Sequence, residues 1–278
     1  MTKETGSMTH ERDYILGTHD EEIVRLGIQH RVWRPRALDA WRRAGFTVGQ
    51  TILDVGCGPG YASIDLAGIV GDGGRVVSLD RSRRFLDTLE TAATGYGLGN
   101  IRTVETDLED GRLPESAADG AWCRWVFAFL KQPRRLLDAI AQSLRPGGVL
   151  VIHEYFDYST WRTTPRCPEI EEFVAEVMRN WRSDGGEPDI GLQLPLWLPE
   201  CGFEVVEMRP IIDIVPPGNF IWQWPKSFVR IGPQRLVNLG LMTAERAHQI
   251  GEAFEQVEKT PHALMITPAV MELIARRR

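Results

Sequence analysis

Three glycines at alternate positions, Gly56, Gly58 and Gly60, follow directly on the run Ile52, Leu53, Asp54 and Val55. A strand that breaks into such a loop can adopt left-handed backbone conformations and let a ligand lie against the main chain. The helix-like stretch Tyr61–Val70 comes next, so its first amide groups would face the same crevice. A second apolar run, Val76, Val77 and Leu79, ends at Asp80, about 20 residues past the last glycine. At that distance a strand-end carboxylate suits the paired hydroxyls of a ribose. The spacing predicts a nucleoside-binding crevice.

A dinucleotide fingerprint is excluded, because its third glycine would fall on Tyr61. The loop Leu53-Asp54-Val55-Gly56-Cys57-Gly58-Pro59-Gly60 instead resembles motif I of class I S-adenosylmethionine-dependent methyltransferases. Companion segments stand in the order that the family requires. These are Asp80 with Arg81 beside it, Asp107-Leu108 after the strand-like 101–104, Asp119-Gly-Ala-Trp-Cys-Arg-Trp-Val-Phe, and Leu144-Arg-Pro-Gly-Gly-Val-Leu-Val-Ile. Together they cover roughly residues 50–155. The resemblance implies that S-adenosylmethionine is the cofactor and S-adenosylhomocysteine its product. It places the cofactor on Asp54, Gly56, Cys57, Gly58 and Gly60, the ribose on Asp80 and the adenine amino group on Asp107. Upstream, Tyr14, Arg25 and Gln29 lie in a lead-in similar to that of the ubiquinone/menaquinone-biosynthesis-like group, in which Gln29 would reach the cofactor's amino-acid end. At 25, the alternative is a surface pair with Glu21 at helical spacing.

These residues need a scaffold, and the alternation of patterns supplies one. Strands are predicted at 51–55, 75–79, 100–104, 120–126 and 148–154, with helices at 61–70, 82–94 and 133–143. Such alternation gives an α/β fold, a doubly wound, seven-stranded, mostly parallel sheet with helical lid insertions. Residues 1–48 read as an N-terminal helical cap, with one helix from Asp20 and a second over 35–45. Residues 49–154 read as the cofactor-binding core and 155–200 as an insertion. Residues 201–278 read as edge strands carrying a helical insertion at about 218–260, in one structural domain overall. Within them 155–161 reads as a loop, 169–181, 190–200 and two stretches of 219–258 as helices, 203–215 as a strand, and 262–267 as the last strand before a short helix. Thr243 is a predicted helix cap.

Composition narrows the partners. The 278 residues are 43% hydrophobic and 25% charged, with a net charge of −6, ordinary for a water-soluble domain and unsuited to bulk attraction of a polyanion. The amino-methylating and cytosine-methylating signatures of DNA enzymes are absent from Arg124-Trp125-Val126-Phe127, so a nucleic-acid substrate is not expected. No apolar run reaches a membrane span, and the polar start lacks a signal-peptide core; a cytoplasmic location is the expectation. A homodimer is compatible with this reading. Four cysteines without C-x-x-C spacing indicate neither metal nor disulfides.

The lid is rich in aromatic residues: Tyr14, Trp33, Tyr155, Phe156, Tyr158, Trp161, Trp181, Phe220, Trp222 and Trp224. They serve either as the core of the cap or as walls of a closed pocket for a small organic acceptor. Asp189 and Gln193 are further candidates for its lining. Arg124 has the fork to hold a carboxylate, either the acceptor's or the methionine's. His153 and Glu154 close a strand and are the candidate catalytic pair. His153 alternates with Val149 and Val151, which also suits a core histidine, whereas Glu154 faces the other way and can orient an amine or deprotonate a hydroxyl. A histidine common in relatives after the fourth strand is missing from Phe127-Ala-Phe129-Leu130. The leading expectation is methyl transfer to oxygen, nitrogen or carbon of a small molecule. A catalytically inactive cofactor-binding scaffold, a protein methyltransferase, and an enzyme that uses the sulfonium for other chemistry are the alternatives.

Overall fold

A computed structural model describes residues 20–114 and 117–278. Tyr14 lies outside them. The described chain opens with α1 (Asp20–Ala44), a single helix of 25 residues. Two separate helices were expected because Pro35 falls in the middle. A proline removes only one amide donor, and here the helix runs through it, anchored on both sides. Before the proline Arg34 pairs with Asp65; after it Arg36 pairs with Asp213, and Arg43 reaches Asp39, Glu207 and Glu272.

The alternation that follows is as expected: β1 (Thr51–Val55), α2 (Tyr61–Val70), β2 (Arg75–Asp80), α3 (Arg83–Tyr96), β3 (Ile101–Glu105), β4 (Ala118–Arg124), α4 (Pro133–Ser143) and β5 (Leu144–Asp157). β5 runs past the expected end at 154 and takes in Tyr155, which the sequence pattern assigns to a loop. Then come β6 (Arg162–Thr164), α5 (Pro168–Ser183), α6 (Leu194–Glu200), β7 (Phe203–Ile211), β8 (Ile214–Val215), α7 (Gln223–Asn238), α8 (Ala244–Lys259), β9 (Leu264–Ile266) and β10 (Ala269–Arg277). Thr243 caps α8 by accepting the Arg246 amide.

The main sheet has seven strands in the order β3-β2-β1-β4-β5-β10-β7, with β10 antiparallel to both neighbours. The last strand of this sheet is therefore 269–277, where a helix was expected. The expected strand at 262–267 contains the short β9, which joins β6 and β8 in a separate three-stranded sheet. The expected strand at 203–215 is likewise divided between the two sheets. Residues such as Met271, Glu272, Leu273 and Ala275 favour helices in isolation. Here they are buried between β5 and β7, and burial on a sheet outweighs local preference.

Two apolar layers cover the faces of the main sheet. One is built on Leu136, Leu137, Leu194 and Phe203, the other on Trp41, Leu66 and Val70. A third cluster fills the cap formed by α5, α7, α8 and the small sheet, and Trp33 of α1 and Trp125 join it. The cap therefore has its own core, and it stands over the carboxyl ends of the strands.

Candidate cofactor and acceptor site

The loop after β1 is shaped by backbone constraints. Gly56, Gly58 and Gly60 have φ of +72°, +54° and +83°, a region that side chains with a Cβ rarely adopt. A Cβ on Gly56 would overlap Val126, and one on Gly60 would overlap Leu89. At Gly58 only Leu26 Cδ1 stands near, at 3.9 Å. Gly58 is therefore the glycine with open space beside it. The loop is tied to β2 through Leu79, whose carbonyl oxygen accepts the amides of Gly56 at 2.8 Å and Cys57 at 2.9 Å.

Asp80 is buried at the end of β2. Its Oδ2 accepts the Gly58 amide at 2.8 Å and its Oδ1 the Ser82 amide at 2.9 Å. Burial raises its carboxyl above the ordinary value despite those donors. Asp80, Arg81, Asp107, Leu108 and Gly56 line one open crevice of about 1080 Å³. Asp107 Oδ1 accepts the Glu109 amide at 3.0 Å, which orients its side chain. A crevice with a carboxylate at each of two strand ends, floored by a glycine loop, fits a nucleoside.

A second, smaller cavity of about 100 Å³ adjoins it, and Gly56 and Phe129 line both. Its walls include Gln29, Asp54, Cys57, Gly58, Arg124, Tyr155 and Tyr158, together with Trp161, Trp181 and Trp224. Asp54 accepts the Ser63 hydroxyl at 2.6 Å, and burial pushes its carboxyl up to about 6. Burial also pushes the Cys57 thiol up, as expected of a space-filling residue. Gln29 is held by Arg25, whose Nη1 donates to Gln29 Oε1 at 2.8 Å. The same guanidinium grips Glu22 at 2.7 and 2.6 Å. The buried Glu22 thus forms an ion pair with Arg25.

Other expected site residues stand elsewhere. Trp33 and Trp222 are fully buried and do not line the cavity: Trp33 packs edge-on against Trp125 and Trp224, and Trp222 packs on Phe254. Asp189 accepts the Tyr158 amide and pairs with Arg182, while Gln193 is exposed at the start of α6. His153 and Glu154 also lie outside both cavities. His153 Nε2 meets Glu272 at 2.9 Å beneath Trp122, and burial lowers its pKa. Glu154 Oε2 accepts the amides of Val126 at 3.1 Å and Phe127 at 3.0 Å. Burial pushes the Glu154 carboxyl up to about 8 against those donors. Both side chains are committed to the framework, so the geometry offers neither a route to an acceptor proton.

The structure adds residues that pattern reasoning does not single out. His30 lines the cavity one position after Gln29, sharing a helix face with Leu26 at i,i+4, the one signal available in the sequence. Its Nε2 meets Asp65 at 3.0 Å, and burial lowers its pKa. Trp125 and Phe228 also line the cavity.

Comparison with known proteins agrees with this geometry. A family model described as a methyltransferase domain matches residues 53–152. An uncharacterised 37.1 kDa transposon protein of Streptomyces fradiae is 30% identical, over 60% of this chain and 47% of that protein. A ubiquinone/menaquinone biosynthesis C-methyltransferase of Enterobacter is 27% identical, over 58% of this chain and 66% of that enzyme. The chain thus spans about half to two-thirds of the length of these relatives. Among solved structures, one titled a putative methyltransferase from Bacillus halodurans superposes with a TM-score of 0.59 at 14% identity, over 87% of this chain and 98% of that one. That likeness shows the fold. Residues 53–152, which carry the glycine loop, both strand-end acids and most of β5, are thus similar to a methyltransferase domain, and the sheet around them has the class I, Rossmann-like methyltransferase fold.

Proposed function

We propose that this protein transfers a methyl group from S-adenosylmethionine to an oxygen, nitrogen or carbon atom of a small organic acceptor held in the aromatic cavity beneath the cap. One observation carries the reading: Gly56 and Phe129 line both the crevice of Asp80 and Asp107 and the cavity of Tyr155, Tyr158 and Trp224. With the donor's nucleoside in the first, and its amino-acid end beside the acceptor in the second, methyl group and acceptor would meet at that junction. Relatives named for carbon methylation in ubiquinone and menaquinone biosynthesis support a small-molecule acceptor.

The cofactor supplies an electrophilic methyl group on a sulfonium. The chain's part is to bind, align and exclude water. In this reading Asp80 takes the ribose hydroxyls, Asp107 and Leu108 the adenine, and Gly58 with Gln29 the amino-acid end. Methyl transfer from a sulfonium removes a positive charge from the reacting centre, so a dry, aligned site matters more than acid–base strength. The placement of His153 and Glu154 outside the cavity favours this positional account over general-base catalysis. The helix α1 and the cap act as a lid.

Calorimetry with S-adenosylhomocysteine tests the reading. Wild type is expected to bind it, and Asp80→Ala to weaken binding by about 1.5–3 kcal/mol, the range for a hydrogen-bonded charge. Failure of the wild type to bind would overturn the proposal, and unchanged affinity in the variant would remove Asp80 from the site.

A further inference from the structure

The end of β4 and the turn after it hold two neighbouring side chains, each with a buried donor that has no acceptor. Arg124 Nη1 and Trp125 Nε1 both lack a hydrogen-bond partner, and both residues line the aromatic cavity. A guanidinium and an indole offer donors only. Buried donors are nearly always satisfied in native proteins, and a ligand that brings acceptors would satisfy these.

The turn is built to keep them there. Trp125 has φ of +53°, a left-handed conformation that is strained for a bulky side chain. Its amide donates to the His153 carbonyl oxygen at 3.0 Å. The next two amides, of Val126 and Phe127, converge on Glu154 Oε2. One buried carboxyl group thus clamps the turn that carries Trp125 into the cavity wall. A second chain of contacts sets Arg124. Its Nη2 meets His30 Nδ1 at 3.3 Å, and His30 Nε2 meets Asp65 Oδ2 at 3.0 Å. Since arginine can only donate, Nδ1 is the acceptor and Nε2 carries the proton.

Charge points the same way. Of the two guanidinium groups on this cavity, Arg25 is answered by Glu22. Asp65 is engaged by His30 and Arg34, and Asp54 Oδ2 by Ser63. Among the described residues, none forms an ion pair with Arg124.

We propose that Arg124 and Trp125 form a carboxylate site, in which Arg124 Nη1 and Trp125 Nε1 donate to one carboxylate of a bound ligand. The inference rests on the methyltransferase reading, which supplies two sources for that group: the methionine end of the cofactor and an acid group on the acceptor.

Calorimetry on wild type, Arg124→Gln, Arg124→Lys and Trp125→Phe separates them. The probes are S-adenosylhomocysteine, 5′-methylthioadenosine, which lacks the amino-acid end, and phenylacetate against phenylacetamide on protein saturated with S-adenosylhomocysteine. If the carboxylate is the cofactor's, Arg124→Gln lowers S-adenosylhomocysteine affinity at least tenfold and leaves methylthioadenosine within twofold. If it is the acceptor's, S-adenosylhomocysteine affinity holds and phenylacetate binding falls at least tenfold, with phenylacetamide indifferent. In either case Arg124→Lys recovers part of the loss and Trp125→Phe shows a smaller one. Arg124→Gln binding both acids like wild type overturns the site. So does an equal loss for methylthioadenosine, or a wild type that ignores phenylacetate while S-adenosylhomocysteine affinity does not depend on Arg124. A wild type that binds neither nucleoside removes the methyltransferase reading itself. A wild type that binds both, with an indifferent variant, removes only the carboxylate site.

Discussion

Arg25 grips the Glu22 carboxylate through both Nε and Nη2 although only three residues separate them on α1, and this pair is buried against the cavity. Truncating Arg25 would leave Glu22 as a lone charge in a shielded position. Arg25→Met is expected to lower stability by about 3–5 kcal/mol, and adding Glu22→Leu to recover most of that loss. Urea unfolding of both variants checks it. A double variant no more stable than the single one would show that Arg25 contributes by packing instead of charge.

Two glycines of the loop, Gly58 and Gly60, should respond differently to alanine. At Gly60 the left-handed backbone and the Leu89 side chain oppose a Cβ together, so Gly60→Ala is expected to lose about 2–4 kcal/mol. At Gly58 only the backbone opposes it, and about 1–2 kcal/mol is expected. Gly58→Ala should nonetheless be the more damaging of the two to S-adenosylhomocysteine affinity per unit of stability lost, because its open side faces the cavity. Equal ratios in denaturation and calorimetry would contradict this.

Glu154 carries a pH signature. Its carboxyl is raised from an ordinary 4.5 to about 8 in the folded protein. The folded state therefore holds a proton that the unfolded chain releases above its own, lower pKa. Stability from this group is complete below about 4.5 and is lost as pH rises through about 8. Glu154→Gln keeps the acceptor oxygen for the Val126 and Phe127 amides and cannot ionise. Its stability relative to wild type is expected to rise steadily between those pH values. Parallel stability curves for the two proteins would show that Glu154 is ionised in the fold.

The lid reading concerns motion. Arg25, Leu26, Gln29 and His30 of α1 and Trp224, Pro225 and Phe228 of α7 wall the cavity from the cap side. Hydrogen exchange is expected to show residues 23–30 and 222–232 gaining protection when S-adenosylhomocysteine binds. Protection confined to 53–60 and 80–110 would mean that the cap stands apart from cofactor binding.

The crevice that brings Gly56, Asp80 and Asp107 together was legible in the sequence because its determinants are local: strand periodicity, glycine spacing and an acid at each strand end. The cap was not. Whether Trp33 or Trp125 meets the cavity depends on how α1, β4 and α7 stack, and every one of these tryptophans sits in the same kind of apolar context. Asp189 looked available because a carboxylate in a turn carries no trace of the Tyr158 amide and Arg182 that engage it. His153 was ambiguous for a related reason. Its partner Glu272 lies on β10, a segment whose helix-forming residues conceal a strand.

That strand also bears on how the molecule is made. β10 fits between β5 and β7 and is the sole partner that joins them in the main sheet. While residues 1–268 emerge from the ribosome, β5 and β7 each present an unpaired strand edge next to apolar faces, an arrangement prone to mispairing between nascent chains. The sheet can close only after residues 269–277 have been synthesised, so β7 cannot dock by extending the sheet from β1 outward in sequence order.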